Sequence, residues 1–219
     1  MKADLYDGMM RLPVLAFTGF FVVRELSGLE EFIMRPPPGW DWGYAVALAA
    51  RLALLMFLCM LLYFHAMRSR PVSKAQGLEP RISALLGMTL SNLLLLLDRA
   101  PPSPLLDTAS ALLLLAGNYL CMAALLHLGR SVSIMAEARA LVTSGPYGLV
   151  RHPLYLAEQI AVVGVFLQFL SWQAALVLLL HFAFQVRRMI NEERVLSQSF
   201  NEYSRYAEST PRLIPGIWL

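Results

Sequence analysis

Apolar residues along this 219-residue chain gather into blocks separated by short polar breaks. Five blocks predict bilayer-crossing helices: residues 44–67, 82–97, 105–128, 153–170 and 172–186. About 20 helical residues cover the roughly 30 Å hydrocarbon core, so the first and third are full length and the others are tight fits. A sixth block, residues 12–23, has only 12 residues before Arg24 and Glu25. It reads as a short tilted span, with a re-entrant piece or an interfacial helix as alternatives. The last two of the five blocks are separated by little more than Ser171, which predicts a tight helical hairpin. Beyond residue 186 the pattern turns polar but keeps helical spacing to about Tyr206. Pro211, Pro215 and Trp218 then predict an extended tail lying on the membrane surface. The expected fold class is an all-α polytopic membrane helix bundle forming one domain, residues 1–219.

Composition agrees with this pattern. Hydrophobic residues make up 58% of the chain and charged residues 15%, with a mean hydropathy of +0.56. A soluble domain of this size carries about a quarter of its residues as charges. The net charge of +3 includes no dense basic tract, so nucleic acid is not an expected partner. Cys59 and Cys121 both fall inside apolar blocks without a CxxC partner, which argues against a disulfide framework or a metal site. Met1 to Asp7 carries one lysine and two aspartates and no small-x-small site follows, so no cleavable leader is expected. Pro36, Pro37, Pro38, Trp40 and Trp42 precede the first long block, a position that suits aromatics at the membrane–water interface.

Charge bias orients the bundle. Arg68, Arg70, Lys74 and Arg81 share one loop, and Arg130, Arg139 and Arg151 share the loop two crossings later. Arg187, Arg188 and Arg194 follow the last span on the same side. The opposite loops hold little beyond Arg24, Arg35 and Arg99. The positive-inside rule puts the basic loops and the C-terminus in the cytoplasm. A crossing at residues 12–23 places Lys2 and Arg11 there as well.

The chemistry concentrates between residues 145 and 193. Pro153 is suited to the first position of a helix, where its missing N–H costs nothing, and it holds His152 extended. Arg151 and His152 therefore stand just before a helix start whose free N–H groups attract an anion such as a carboxylate. Across the hairpin, His181, Gln185, Arg188 and Glu192 are spaced 4, 3 and 4 and share one helical face; Glu193 lies about 100° further round. The 15 apolar residues before Arg187 cover only about 22 Å, so this polar stripe emerges level with Arg151 and His152. Carboxylates at one place and cations at another make a pocket suited to a zwitterion.

The run GPYGLVRHPLYLA, followed some 30 residues later by RRMINEERVLSQSFNEYSRY, resembles the isoprenylcysteine carboxyl methyltransferase and phospholipid methyltransferase superfamily of integral membrane enzymes. The resemblance spans about 40% of the chain, residues 128–215. It implies S-adenosylmethionine as methyl donor and a lipid-like or isoprenoid-like acceptor, carboxylate or amine, that enters from the bilayer. Tyr147, Arg151, His152, Pro153, Tyr155 and Glu192 match cofactor-binding positions, and Arg188 and Glu193 match the pair needed for activity. Residues 129–219 then form the cofactor-binding core and residues 1–128 the spans that shape the acceptor side. Ala157 and Asn201 replace the family's usual glycines, and Gly148 stands where many relatives carry a basic residue.

Methyl transfer from a sulfonium needs no metal and no covalent intermediate; it needs two reactants held at attack distance in a dry site. A carboxylate acceptor requires no base, whereas an amine, thiol or hydroxyl must lose a proton. Glu158, His127, His181 and Glu193 are the candidate bases. Glu158 and His181 are also the candidate substrate residues, and Glu158 faces either the acceptor or an internal partner such as Arg139. His65 and His127 read as ordinary interfacial histidines, Arg51 as snorkelling or internally paired, and Asn92 and Asn118 as links between helices. Two other classes compete: a membrane reductase of the sterol-reductase type using NADPH, and a small transporter or scaffold. The first calls for more cations than Arg130, Arg151 and Arg188 supply, and the second for broken helices or a repeat.

Overall fold

The computed structural model describes residues 2–35 and 42–217. The interface signal at Pro36, Pro37, Pro38 and Trp40, and the tail residue Trp218, lie outside them. The described chain runs α1 (Lys2–Met34), α2 (Trp42–Met67), β1 (Ser73–Lys74), α3 (Glu79–Thr89), a 3-10 stretch (Leu90–Leu96), α4 (Pro104–Leu128), β2 (Glu137–Ala138), α5 (Pro153–Gln168), α6 (Trp172–Ser199) and α7 (Tyr203–Ser209). Among the described residues, four stretches are long and apolar enough to cross a membrane: Arg11–Met34, Trp42–Met67, Pro104–Ser131 and Trp172–Ser199. With α5 as a shorter apolar helix, the molecule is a helical bundle of the integral membrane kind.

The 12-residue block at 12–23 is not a short helix. It belongs to α1, which continues through Arg24 and Glu25 to Met34. The charges do not end the helix because Glu25 meets Arg51 of α2 at 3.2 Å, and the Arg51 guanidinium stands 5.0 Å from the Phe32 ring centre. Arg51 is thus internally paired. At the other end of the same helix pair, Arg11 donates to the Ala66 and Arg68 carbonyls and so satisfies orphan acceptors where α2 stops.

The block at 82–97 also differs from a single helix. After Thr89 the backbone tightens to 3-10. Hydroxyl and amide groups compete with the α-helical ladder here: Thr89 donates to the Leu85 carbonyl at 2.8 Å and Asn92 to the Thr89 carbonyl at 3.2 Å. Ser91, Asn92 and Leu95 of this stretch line a cavity, and the segment is too short to count among the membrane-capable helices.

The hairpin closes as its sequence requires. The Ser171 hydroxyl caps α6 by accepting from the Ala174 N–H at 3.2 Å, and Leu94, Phe169 and Ala174 bury the turn. Yet α5 packs more extensively on α4 than on its hairpin partner. Small residues let those two backbones approach: a Cβ on Gly117 would stand 2.7 Å from the Ala161 nitrogen, and one on Gly164 3.0 Å from the Ser110 carbonyl. Ser110 in turn donates to the Gly164 carbonyl at 2.8 Å.

Loops at one end of the bundle are stapled together. β1 pairs antiparallel with β2, Ser73 opposite Ala138, and the Arg130 carbonyl accepts from the Ser69 N–H at 2.8 Å. The C-terminal tail crosses this end: Arg151 N–H donates to the Pro211 carbonyl at 2.9 Å and His152 N–H to the Arg212 carbonyl at 3.0 Å. The first residues of this tail are thus tied to the segment ahead of α5. Two backbone N–H groups ahead of α5 lack helical partners, and the tail's carbonyls satisfy them.

Candidate active site

One cavity of about 600 Å³ runs through the bundle and is walled by α1 to α6. Near the loop end it is lined by Tyr147, His152, Tyr155, Glu158, Arg188 and Glu192; further in, by Phe17, Phe21, Leu54, Phe57 and Val165. A pocket this size that is mostly apolar with a few convergent polar groups is a typical small-molecule site.

Its polar end is ordered by α6. His181, Gln185 and Arg188 are buried along one face, as their spacing requires. Gln185 links two charges: its Nε2 donates to Glu158 at 2.8 Å and its Oε1 accepts from Arg188 at 2.7 Å. Arg188 also donates to the Ile134 carbonyl at 3.3 Å, and its guanidinium stands 5.0 Å from the Tyr155 ring centre. Tyr155 donates to Glu192 at 2.9 Å. Glu158 thus faces the cavity, and Arg139 pairs with Glu137 instead.

Four buried polar groups point at this cavity with no hydrogen-bond partner: Arg188 Nε, Asn118 Nδ2, His65 Nε2 and both ring nitrogens of His181. A buried polar atom without a partner costs about 1–3 kcal/mol, and this concentration in one cavity is a mark of a ligand site.

Glu193 has a different setting. It does not line the large cavity. Its carboxylate takes a two-pronged ion pair from Arg212, with Nε at 3.0 Å and Nη2 at 2.8 Å. His152 Nε2 lies 3.0 Å away and Arg151 Nε 3.5 Å away. The apolar part of α6 stops at Val186, so this cluster lies beyond it. Burial pushes the Glu193 carboxyl up, but hydrogen bonds from His152 and Arg212 and the charge of Arg151 outweigh burial and hold it at about 2. The carboxylate held beside Arg151 and His152 is therefore the chain's own. Nearby, Tyr206 donates to the Tyr147 carbonyl at 2.7 Å, and burial pushes its hydroxyl up to about 12.

The structure brings Tyr147, His152, Tyr155, Glu158, His181, Arg188 and Glu192 to one cavity. Pro153 opens α5 and does not line this cavity; Arg151 lines a second cavity of about 30 Å³ beside Tyr147, His152 and Glu192. His127 lies apart, with Nδ1 donating to the Ala123 carbonyl at 2.8 Å. Sequence reasoning passed over four participants. His65 is 1% exposed and fixed by an Nδ1–H bond to the Leu61 carbonyl at 2.8 Å, which leaves its Nε2 lone pair on the cavity. Asn118 does not link helices through its Nδ2, which has no partner. Arg212 lies in the tail. Gly87 of α3 leaves room for Arg188, whose Cδ would be 2.4 Å from any Cβ there. A glycine in an apolar helix was the one available signal, since it marks a close approach.

Residues 106–203 match the family model for phospholipid methyltransferase, a little under half of the chain. An 80-residue stretch is 40% identical to the cobalt-zinc-cadmium resistance protein CzcN of Cupriavidus metallidurans. One of 84 residues is 37% identical to the nickel-cobalt-cadmium resistance protein NccN of Alcaligenes xylosoxydans xylosoxydans. These alignments cover 36% and 38% of this chain and only 37% and 39% of those proteins. The matched family region runs from α4 to the start of α7 and contains α5, α6 and every motif residue of the polar end. Residues 106–203 are thus similar to the phospholipid methyltransferase family, which falls within the isoprenylcysteine carboxyl methyltransferase-like superfamily of membrane methyltransferases.

Proposed function

We propose that this protein transfers the methyl group of S-adenosylmethionine to a lipid-like acceptor drawn from the bilayer. The observation that carries the reading is the single cavity with two chemistries, charged and tyrosine-lined at one end and apolar along the rest. The residues present suit the donor. Glu158 and Glu192 offer carboxylates to a sulfonium and an ammonium, the Tyr155 face suits a cation, and the unpartnered Arg188 Nε suits a carboxylate. When bound, S-adenosylmethionine supplies an electrophilic methyl group. The chain's part is to hold both reactants in line and exclude water, for which a buried site is suited.

In this reading Arg188, Glu192, Tyr155, Tyr147 and His152 touch the cofactor. Glu193 and Arg151 act through His152 and the tail, as positioning residues. The basic loops support a cytoplasmic side for this end of the bundle, which this reading takes as that of a bacterial inner membrane. Thermal unfolding of the purified protein, titrated with S-adenosylhomocysteine and separately with NADPH, tests the reading. Stabilisation by S-adenosylhomocysteine that Arg188→Ala abolishes is expected. Stabilisation by NADPH alone would return the sterol-reductase alternative, and a response to neither would leave the transporter or scaffold.

A further inference from the structure

We propose that Asn118 and His181 form an acceptor-head subsite for an uncharged phenolic hydroxyl carried on an apolar chain. This rests on the methyltransferase reading and narrows its acceptor.

The two residues share one layer of the cavity. Gln185 meets Glu158 across the antiparallel pair α5 and α6. Stepping four residues back along α6 to His181 matches four residues forward along α5 to Val162, a depth of about 6 Å below the Glu158–Gln185 layer. Asn118 reaches the same depth from α4, because its neighbour Gly117 packs directly on Ala161. Ala161 and Val162 both line the cavity between them. Asn118 is 3% exposed and His181 2% exposed, and Asn118 Nδ2 and both His181 nitrogens lack partners.

These atoms define what they would accept. Asn118 Nδ2 presents N–H donors, and a neutral imidazole presents one donor and one lone pair. A hydroxyl matches both in kind: it can accept from Asn118 and donate to His181. An alkylamine is an ammonium at neutral pH, and in that form it has no lone pair for Asn118 and must shed a proton before it can react. A carboxylate head would stand one turn from Glu158, and the free Arg188 Nε is taken in this reading by the donor's own carboxylate. Among hydroxyls, a phenol ionises near 10, as tyrosine does, so an imidazole can take its proton during reaction. In the step, the phenol oxygen bonds the methyl carbon, and its proton passes to the free His181 nitrogen. The C–S bond breaks with its electron pair left on sulfur, which becomes a neutral thioether.

The apolar wall beyond this layer fits the rest of the molecule. Leu54, Phe57 and Leu58 of α2 face Phe17 and Phe21 of α1 along it, and the Arg51–Glu25 pair marks its far end. Arg51 and His65 line the same cavity 14 residues apart on one helix, so it runs about 21 Å.

The test uses the full chain in detergent micelles, S-adenosylmethionine with a radiolabelled methyl, and three probes: 4-nonylphenol, dodecylamine and dodecanoate. Label is expected in the phenol ether, at least about tenfold faster than in the other two, the value of one lost hydrogen bond. Asn118→Leu and His181→Phe should each raise KM for 4-nonylphenol about tenfold or lower its turnover, with the thermal shift by S-adenosylhomocysteine intact. His181→Gln should recover KM without recovering turnover. Should His181→Phe not fold, Asn118→Leu decides alone. Preferential labelling of the amine or carboxylate, no labelled probe despite S-adenosylhomocysteine binding, or unchanged kinetics in both variants overturns the subsite and leaves the methyltransferase reading standing. Absence of any S-adenosylhomocysteine response strikes the underlying reading instead.

Discussion

Three basic side chains converge on Glu193, and that fixes how the site responds to acid. Its carboxyl is held at about 2 against an ordinary value near 4.5, because His152 and Arg212 hydrogen-bond it and Arg151 adds charge against the opposing effect of burial. A carboxyl with a depressed pKa stabilises the fold above its unfolded value and loses that contribution as pH falls through its folded value. The cluster should therefore contribute fully above about pH 4.5 and fade between there and about 2. Melting temperatures of wild type and Glu193→Gln measured across that range should converge toward the acid end. A gap of constant size would mean that Glu193 is not ionised in the clamp. The carboxylate itself was legible in the sequence, through the Glu192–Glu193 pair on a polar stripe. Its partner Arg212 was not, because a tail arginine 19 residues on carries no periodic or motif signal that it folds back.

Elements were legible where sequence pattern and packing agree. Spacing of 4, 3 and 4 residues fixed the α6 face, and Ser171 with a one-residue break fixed the hairpin. Boundaries failed where tertiary contacts override pattern, as the Glu25–Arg51 pair carries α1 past its charges, and where a 3-10 stretch interrupts the block at 82–97. The α4–α5 contact was hidden for a similar reason, since sequence adjacency points α5 at α6. That contact depends on Gly117, whose absent Cβ lets Ala161 approach within about one atom's width. Because the obstructing atoms are backbone and Cβ, a side chain there must push the helices apart. Gly117→Val is expected to lower stability by about 1–3 kcal/mol, the usual cost of overpacking. It should also weaken S-adenosylhomocysteine binding, because α5 carries Tyr155 and Glu158. Chemical unfolding and ligand titration of the variant check both; wild-type values in each would mean that the helices part without disturbing the site.

At the scale of the whole molecule, the family match covers one wall and the loop end of the cavity, while α1, α2 and α3 supply the rest. The residues of the polar end were readable because ordered motifs carry them; the apolar wall was not, because helices outside those motifs shape it by packing. The tail joins the two ends of the motif region. Its carbonyls at Pro211 and Arg212 take the Arg151 and His152 N–H groups, and the Arg212 side chain grips Glu193 on α6. These contacts hold the start of α5 against α6 at the point where Tyr155 meets Glu192. Arg212→Ala should lower stability by about 1.5–3 kcal/mol, the worth of charge-assisted hydrogen bonds, and leave the backbone pairing in place. Removing the chain from Pro211 onward deletes both kinds of contact. It should cost more stability than Arg212→Ala and lower S-adenosylhomocysteine affinity at least about tenfold, because His152 is released on the cavity wall. Unfolding and ligand titration of the two variants side by side make the comparison. A truncated protein that binds S-adenosylhomocysteine as tightly as the full chain would make the tail a brace for the fold and not part of the site.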